Sequence, residues 1–493
     1  MPNSATSPLR VVYAASEYAP LVKTGGLADV AGALPAALRD AGLDVRVVLP
    51  GYPSVWAGVE RRRRATRVAP LGHIPGAELV EVALPGGTPG WIVDNAALYD
   101  RAGGPYQSAS GSDWDDNPLR FGLLSHAAAR LAEGADDGWT ADIVNANDWQ
   151  SGLAPAYGAL GVTQRRPSVF TVHNLAFQGV FPPGWVTDLG LPPPCFQMHG
   201  VEYYGQLSFL KAGLYYADAI TTVSPTYAEE IRHEPGGMGL QGLLADRRSR
   251  LVGILNGVDT NVWNPRTDPH LARRYDEDRL DDKIADKRAL QRELGLAPDD
   301  GMFLLGVVAR IGEQKGIDLI VDAADRFLAL PAQLVVLGAG DHALERRLLA
   351  LEAAWSRQVR VVIGFDEGLA HRIEAGADAF VMPSRFEPCG LNQMYSQRYG
   401  TPPIVHATGG LVDTVVDHDS STMAAGTATG FAFRDASPGA LAGAIERAHV
   451  AYRHAATWRA LQRQGMARDF GWSGPAARYA ALYERLAAPA RSA

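Results

Sequence analysis

The sequence predicts an α/β protein built from two Rossmann-like domains that face one another across a cleft. Three observations lead there. At 493 residues the chain is too long for one hydrophobic core. Continuous apolar runs such as 9–15 (LRVVYAA) and 168–172 (SVFTV) read as strands of a parallel sheet covered on both faces, and stretches with helical apolar spacing alternate with them. After a polar, charge-dense segment reaching to about residue 300, the same alternation restarts, which sets a domain boundary near residue 257.

Composition narrows the class further. Hydrophobic content of 47% and charged content of 20% are those of an ordinary soluble globular protein. A net charge of −8 argues against a nucleic-acid partner, and the four arginines at 61–64 read as a solvated face. Cys195 and Cys389 are too few for a disulfide framework and lie in no metal-ligand spacing, which fits a reducing, cytoplasmic compartment. No run approaches the roughly 18 apolar residues of a membrane span, and residues 1–8 lack the apolar core of a signal peptide.

In the first half, strand 9–15 leads through a loop into Gly25-Gly26 and a helix to about residue 41. Leu27, Val30, Ala31, Leu34 and Leu38 form its buried stripe, Pro35 is expected to bend it, and Gly42 ends it. Strand 44–49 completes a βαβ unit. Lys23-Thr24-Gly25-Gly26 is therefore a glycine-rich turn entering a helix behind a cation, the physical recipe for a phosphate site, although it has neither P-loop nor GxGxxG spacing. Elements continue at 79–84, 91–94, 118–132, 142–146 and 152–160. Asp148 and His173 close strands 142–146 and 168–172, so both are expected on one crevice along the carboxyl edge of the sheet. Residues 181–196, rich in proline and aromatics, read as a surface excursion suited to a lid or acceptor loop. Helix 211–216 and strand 219–223 follow, then a flexible glycine stretch at 235–239 and a strand at 251–255.

The second half reads as strands 302–308, 333–338, 359–364, 379–382 and 403–406. Helices 316–330, 341–355, 367–375, 390–399 and 410–416 alternate with them. Residues 473–487 form a terminal helix whose apolar spacing suits packing on either domain, and 471–490 is expected to cross back to the N-terminal one. Arg310 and Lys315, five apart in a loop before a helix, can converge on one multivalent anion such as a diphosphate leaving group. Pro383 and Pro388 break the structure after strand 379–382 and leave Glu387 in a turn at a strand's carboxyl end, where open α/β sheets bind ligands. The amides of Gly390 and Leu391 point out of the following helix start, where anions are favoured. A carboxylate beside a phosphate cradle suits chemistry on a sugar phosphate. Asp276-Glu277-Asp278 and Asp417-His418-Asp419 look like acidic metal-binding triplets, but both lie in charged loops and no metal site is expected there.

Taken together, these segments resemble the bacterial glycogen synthases and plant starch synthases, which share the GT-B fold of two Rossmann-like domains. The resemblance rests on Lys23-Thr24-Gly25-Gly26-Leu27-Ala28-Asp29-Val30, Asn147-Asp148-Trp149, Phe170-Thr171-Val172-His173-Asn174-Leu175 and Leu255-Asn256-Gly257-Val258-Asp259. In the second half it rests on Arg310, Lys315-Gly316, the run from Pro383 to Leu391, and Thr408-Gly409-Gly410-Leu411. It implies an enzyme that transfers α-glucosyl units from ADP-glucose to the non-reducing end of glycogen or another α-1,4-glucan, with retention and without a cofactor or metal. By motif match, Lys23 and Gly26 contact the donor, Arg310 and Lys315 hold its diphosphate, and the Gly390 and Leu391 amides cap the distal phosphate. Glu387 matches the family's essential glutamate, His173 lies against the transferred glucose, Asp148 beside the reaction centre, and Asn256 near the sugar. Phe365 takes the place of an aromatic against the adenine.

Three departures from the family pattern stand out. Gln150 replaces a usual His, which bears on acceptor contacts. Phe365 stands where Tyr is common, keeping the ring but losing a hydroxyl. Tyr395 occupies the position, eight residues after the first, where many other GT-B transferases carry a second Glu, as in the glucan synthases. A glucan-binding protein without turnover is the alternative reading. An oxidoreductase is disfavoured because neither half shows GxGxxG after its first strand.

Overall fold

The computed structural model describes residues 7–135 and 139–491, with side chains described for all of these except 61–65 and 489–491. The side chains of the arginine run, and residues 1–6 of the leader reading, lie outside the described residues. The chain divides into two units, Met1–Gly257 with Trp472–Ala493, and Val258–Gly471.

In the first unit the main-sheet strands are β1 (Arg10–Ala14), β2 (Asp44–Pro50), β3 (Glu60–Val68), β4 (Ala77–Ala83), β5 (Pro89–Asp94), β6 (Ile143–Asn147) and β7 (Ser168–Val172). A small sheet of β8 (Val180–Phe181), β9 (Glu202–Tyr203) and β10 (Gln206–Ser208) intervenes before β11 (Ala219–Thr222) and β12 (Leu251–Gly253) rejoin the main one. The main order is β12-β11-β7-β6-β1-β2-β5-β4-β3, parallel from β12 to β5 and antiparallel at β4. Strands β6 and β7 are buried along their whole length, and the two polar side chains of β6, Asn145 and Asn147, are hydrogen-bonded within the fold. The helix Gly26–Asp40 buries Leu27, Val30, Ala31, Leu34 and Leu38 and accommodates Pro35 in its interior. Successive strands turn outward in opposite directions from β1, so the loops after β1 and β6 flank the topological switch point. The terminal helix Ser473–Arg491 belongs to this unit: Asn145 Nδ2 donates to Tyr483 OH at 2.9 Å and Arg478 Nη2 to Gly253 O at 2.8 Å.

In the second unit β13 (Phe303–Val308), β14 (Ala332–Gly338), β15 (Val359–Ile363), β16 (Ala379–Met382), β17 (Pro403–His406) and β18 (Phe431–Phe433) form one parallel sheet. Its order is β15-β14-β13-β16-β17-β18, with the switch point between β13 and β16. Alternate side chains serve two cores. Phe303, Leu305 and Val307 face one, with Ile320 and Phe327 of the helix Ile317–Leu328; Leu304 faces the other, with Leu369 and Ile373.

Several expectations change. The surface excursion at 181–196 is anchored from beneath: Val186, Leu189 and Cys195 are buried, and Tyr157 OH donates to Leu189 O at 3.0 Å. Segment 235–239 is pinned through Met238 O, which accepts from Tyr203 OH at 2.8 Å and Gln178 Nε2 at 3.1 Å. The polar stretch before residue 300 contains the helix Lys283–Glu293, whose buried face is polar apart from Leu290. The helix expected from residue 390 begins at Asn392, because Gly390 takes φ 70° and Leu391 caps the turn. No helix among the described residues is long and apolar enough to cross a membrane.

Candidate active site

In the first unit, the loop after β1 brings a carboxylate under the glycine turn. Glu17, 3% exposed, accepts from Thr24 N (2.6 Å) and Gly25 N (3.2 Å) on one oxygen, and from Thr24 Oγ1 (2.6 Å) and Tyr106 OH (2.5 Å) on the other. This corrects the reading of the turn as an open phosphate cradle: two of its amides already hold an internal anion. Lys23, just ahead, pairs through Nζ with Asp29 Oδ1 at 2.7 Å, and Gly26 opens the helix.

The adjacent ends of β6 and β7 meet directly. Asp148 Oδ1 accepts from His173 N at 2.7 Å, and Asp148 holds φ 55°, a left-handed conformation uncommon outside glycine. Burial pushes the Asp148 carboxyl up to about 7, against the backbone N–H groups of His173 and Asn174 and helped by the charge of Glu17. Burial also lowers the His173 imidazole to about 3, so the ring is neutral near pH 7. Asn147 fixes its tautomer. Asn147 Nδ2 donates to Ala14 O at 3.0 Å, which turns Oδ1 toward His173 Nε2 at 3.0 Å. Nε2 therefore carries the hydrogen and Nδ1 keeps a lone pair for an incoming hydroxyl. Asn256 lies beyond the end of β12, buried, with Oδ1 lacking a hydrogen-bond partner in the described structure. Gln150 is also buried, its backbone O accepting from Ser125 Oγ at 3.3 Å and its side-chain Oε1 lacking a hydrogen-bond partner in the described structure.

In the second unit the loops after β13 and β16 converge across the switch point. Lys315 Nζ lies 2.6 and 2.9 Å from the two oxygens of Glu387, and Ser384 Oγ donates to Glu387 Oε2 at 2.9 Å. Glu387 is 5% exposed and Lys315 half-buried, so the pair is shielded from screening by solvent. Three devices hold the loops together. Arg385 forks onto Asp318 at 2.6 and 2.8 Å and donates to Glu313 O at 2.7 Å. Gly316, at φ 66°, lies so close that a Cβ there would be 2.1 Å from Pro383 O. Gly410 N donates to Glu387 O at 3.0 Å, which accounts for the Thr408-Gly409-Gly410 turn. His406 reinforces the loop from behind, with Nδ1 2.7 Å from Ser384 O.

Arg310 is exposed in the loop after β13, and Phe365 follows β15 with its ring 78% exposed, free to serve as a flat apolar platform. Gly390 and Leu391 sit in the turn ahead of Asn392 rather than in helix, and Gln393 Nε2 folds back on Gly390 O at 3.0 Å. Tyr395 is buried and stacks on Trp263 at 3.8 Å, a packing role. The acidic triplets are engaged elsewhere: Asp276 pairs with Arg279 and Arg266, Asp417 with Arg447, and Asp419 caps a helix. No group of three or more His, Cys, Asp or Glu side chains able to hold a metal ion occurs among the described residues. Glu17, His406 and Arg385 were missed in the sequence. Of these, Glu17 left a signal as the sole acidic residue between positions 9 and 28, and Arg385 lies inside the run from Pro383 to Leu391, where no role was read for it.

Comparison with known proteins identifies the family. Residues 10–246 match the starch synthase catalytic domain model and residues 287–459 the glycosyl transferases group 1 model. The chain is 57% identical over 483 residues to a glycogen synthase of Aromatoleum aromaticum, covering 98% of each. It is 50% identical over 482 residues to one of Nitrosomonas europaea, covering 97% of each. Among solved structures, the catalytic domain of Starch Synthase IV from Arabidopsis thaliana, bound to ADP and acarbose, aligns with a TM-score of 0.88 and 32% identity, over 98% of this chain and 100% of that one. A sucrose-phosphate synthase from Thermosynechococcus elongatus, at TM-score 0.61 and 20% identity over 98% of this chain and 100% of that one, shares the fold. The chain belongs to the glycogen synthase and starch synthase family of GT-B glycosyltransferases.

Proposed function

We propose that the protein transfers α-glucosyl units from ADP-glucose to the non-reducing end of glycogen or another α-1,4-glucan, with retention, in the cytoplasm. The observation that carries this reading is the Lys315–Glu387 pair at the switch point of the second unit, in a chain of this family. Arg310 and Lys315 take the diphosphate and the Gly390 and Leu391 amides its distal phosphate, so that charge building on the leaving ADP is met by fixed positive groups without a metal. Phe365 stacks on the adenine. Lys23 and Gly26 contact the donor, while Asn256 and the Nδ1 face of His173 address the sugar. Residues 8–257 supply the acceptor side, 258–470 the donor side, and 471–490 a helix returning to the first.

The bond from C1 to the phosphate oxygen breaks as the acceptor hydroxyl adds to C1 from the same face, and the departing phosphate takes that hydroxyl's proton. Glu387 steadies the positive charge that develops on the sugar and orients Lys315, while Asp148, beside His173, sits next to the reaction centre. Glu387→Ala in the full-length protein is expected to lower turnover by about a hundredfold or more while ADP affinity falls much less. Equal losses in both would reject a catalytic role for Glu387.

A further inference from the structure

Thr24 and Gly25 amides pointing into one concavity make the kind of nest that binds anions. In this chain the nest is filled from within by the Glu17 carboxylate. The same carboxylate takes the Thr24 hydroxyl and Tyr106 OH, and Ser16 Oγ lies 2.8 Å from that phenol oxygen, so hydrogens run from Ser16 through Tyr106 to Glu17. The Tyr106 ring packs against Trp149, the residue after Asp148, with centroids 6.3 Å apart, and against Phe121 at 5.7 Å. One buried carboxylate therefore ties the loop after β1 to the loop after β6.

We propose that Glu17 is the positioning residue of the glycine turn: its carboxylate occupies the amide nest, fixes the backbone from which Lys23 projects, and locks it through Tyr106 to the Asp148 segment. This rests on the reading of Lys23 as a donor contact. The turn then offers the donor a placed ammonium rather than Thr24 and Gly25 amides, and a phosphate cannot settle in the nest against the charge already there. Burial, then the charge of Glu17, hold the Tyr106 phenol well above its ordinary range, so it stays a donor at every working pH.

The test is steady-state kinetics of full-length Glu17→Gln, Tyr106→Phe and Lys23→Ala with ADP-glucose and glycogen, alongside thermal unfolding. The expected result is a donor KM raised about tenfold in Glu17→Gln and several-fold in Tyr106→Phe, with glycogen KM and melting temperature near those of the parent. Should Lys23→Ala raise the donor KM while the other two stay within about twofold of the parent, the inference fails and the donor reading stands. Should Lys23→Ala leave the donor KM unchanged, the donor reading of the turn fails and takes the inference with it. If Glu17→Gln does not fold, Tyr106→Phe decides alone, since it keeps the ring contacts with Trp149 and Phe121 and removes only the hydroxyl.

Discussion

Asp148 shows most plainly how the fold strains a single residue. Its backbone sits at φ 55° and its carboxyl is held near 7 by burial, whereas an unperturbed aspartate titrates near 3.8. Between those values the folded chain binds a proton that the unfolded chain has released. Stability contributed by the protonated group is full below about 3.8 and is lost as pH rises through about 7. Asp148→Asn is isosteric and removes that dependence. It is expected to be more stable than the parent at pH 8, by on the order of a few kcal/mol at most, and so to melt higher there, to lose the advantage towards pH 4, and to lose turnover. A melting difference that is the same at both pH values would contradict the assignment. Asp148 and His173 directly follow strand ends, and Lys315 and Glu387 lie in the loops after β13 and β16, so both the sequence pattern and the topology make them candidates. The Glu17–Tyr106 contact could not be read, because 89 positions separate its partners and only the fold closes that distance.

At the scale of elements, the alternation of strands and helices was legible wherever strands are buried on both faces. β7 and β14 are buried at every position, so their sequences are nearly free of charge. The helix Lys283–Glu293 escaped because its buried face carries Lys283, Asp286, Lys287 and Gln291, which pattern reading assigns to solvent. Partners satisfy most of these groups: Lys287 Nζ reaches Asp378 Oδ2 at 2.7 Å, Lys283 Nζ reaches Thr401 Oγ1 at 2.7 Å, and Gln291 Nε2 reaches Gln333 Oε1 at 2.8 Å. The junction between the β13 and β16 loops depends on Gly316. Gly316→Ala must adopt φ near 66° with a Cβ 2.1 Å from Pro383 O, so the turn has to move and Lys315 with it. A loss of about 2 kcal/mol or more in denaturant unfolding is expected, with turnover falling at least about tenfold. Unchanged stability and donor kinetics would show that the loops do not depend on this contact.

At the scale of the whole molecule, a sheet that is antiparallel only at its β5-β4-β3 edge and a second that is wholly parallel each carry candidate groups in adjacent loops at a switch point, after β1 and β6 in one unit and after β13 and β16 in the other. The fold class was legible because that repetition is written twice along the chain. The chemistry was legible only through the motifs at those loops, since composition alone says no more than an ordinary globular protein. The most direct test is nucleotide release from ADP-glucose and from UDP-glucose, with and without glycogen, in excess EDTA. ADP release that requires glycogen and persists in EDTA is the expected result. Release from UDP-glucose alone, release abolished by EDTA, or no release from either donor while glycogen is still bound would contradict a metal-independent transfer from ADP-glucose.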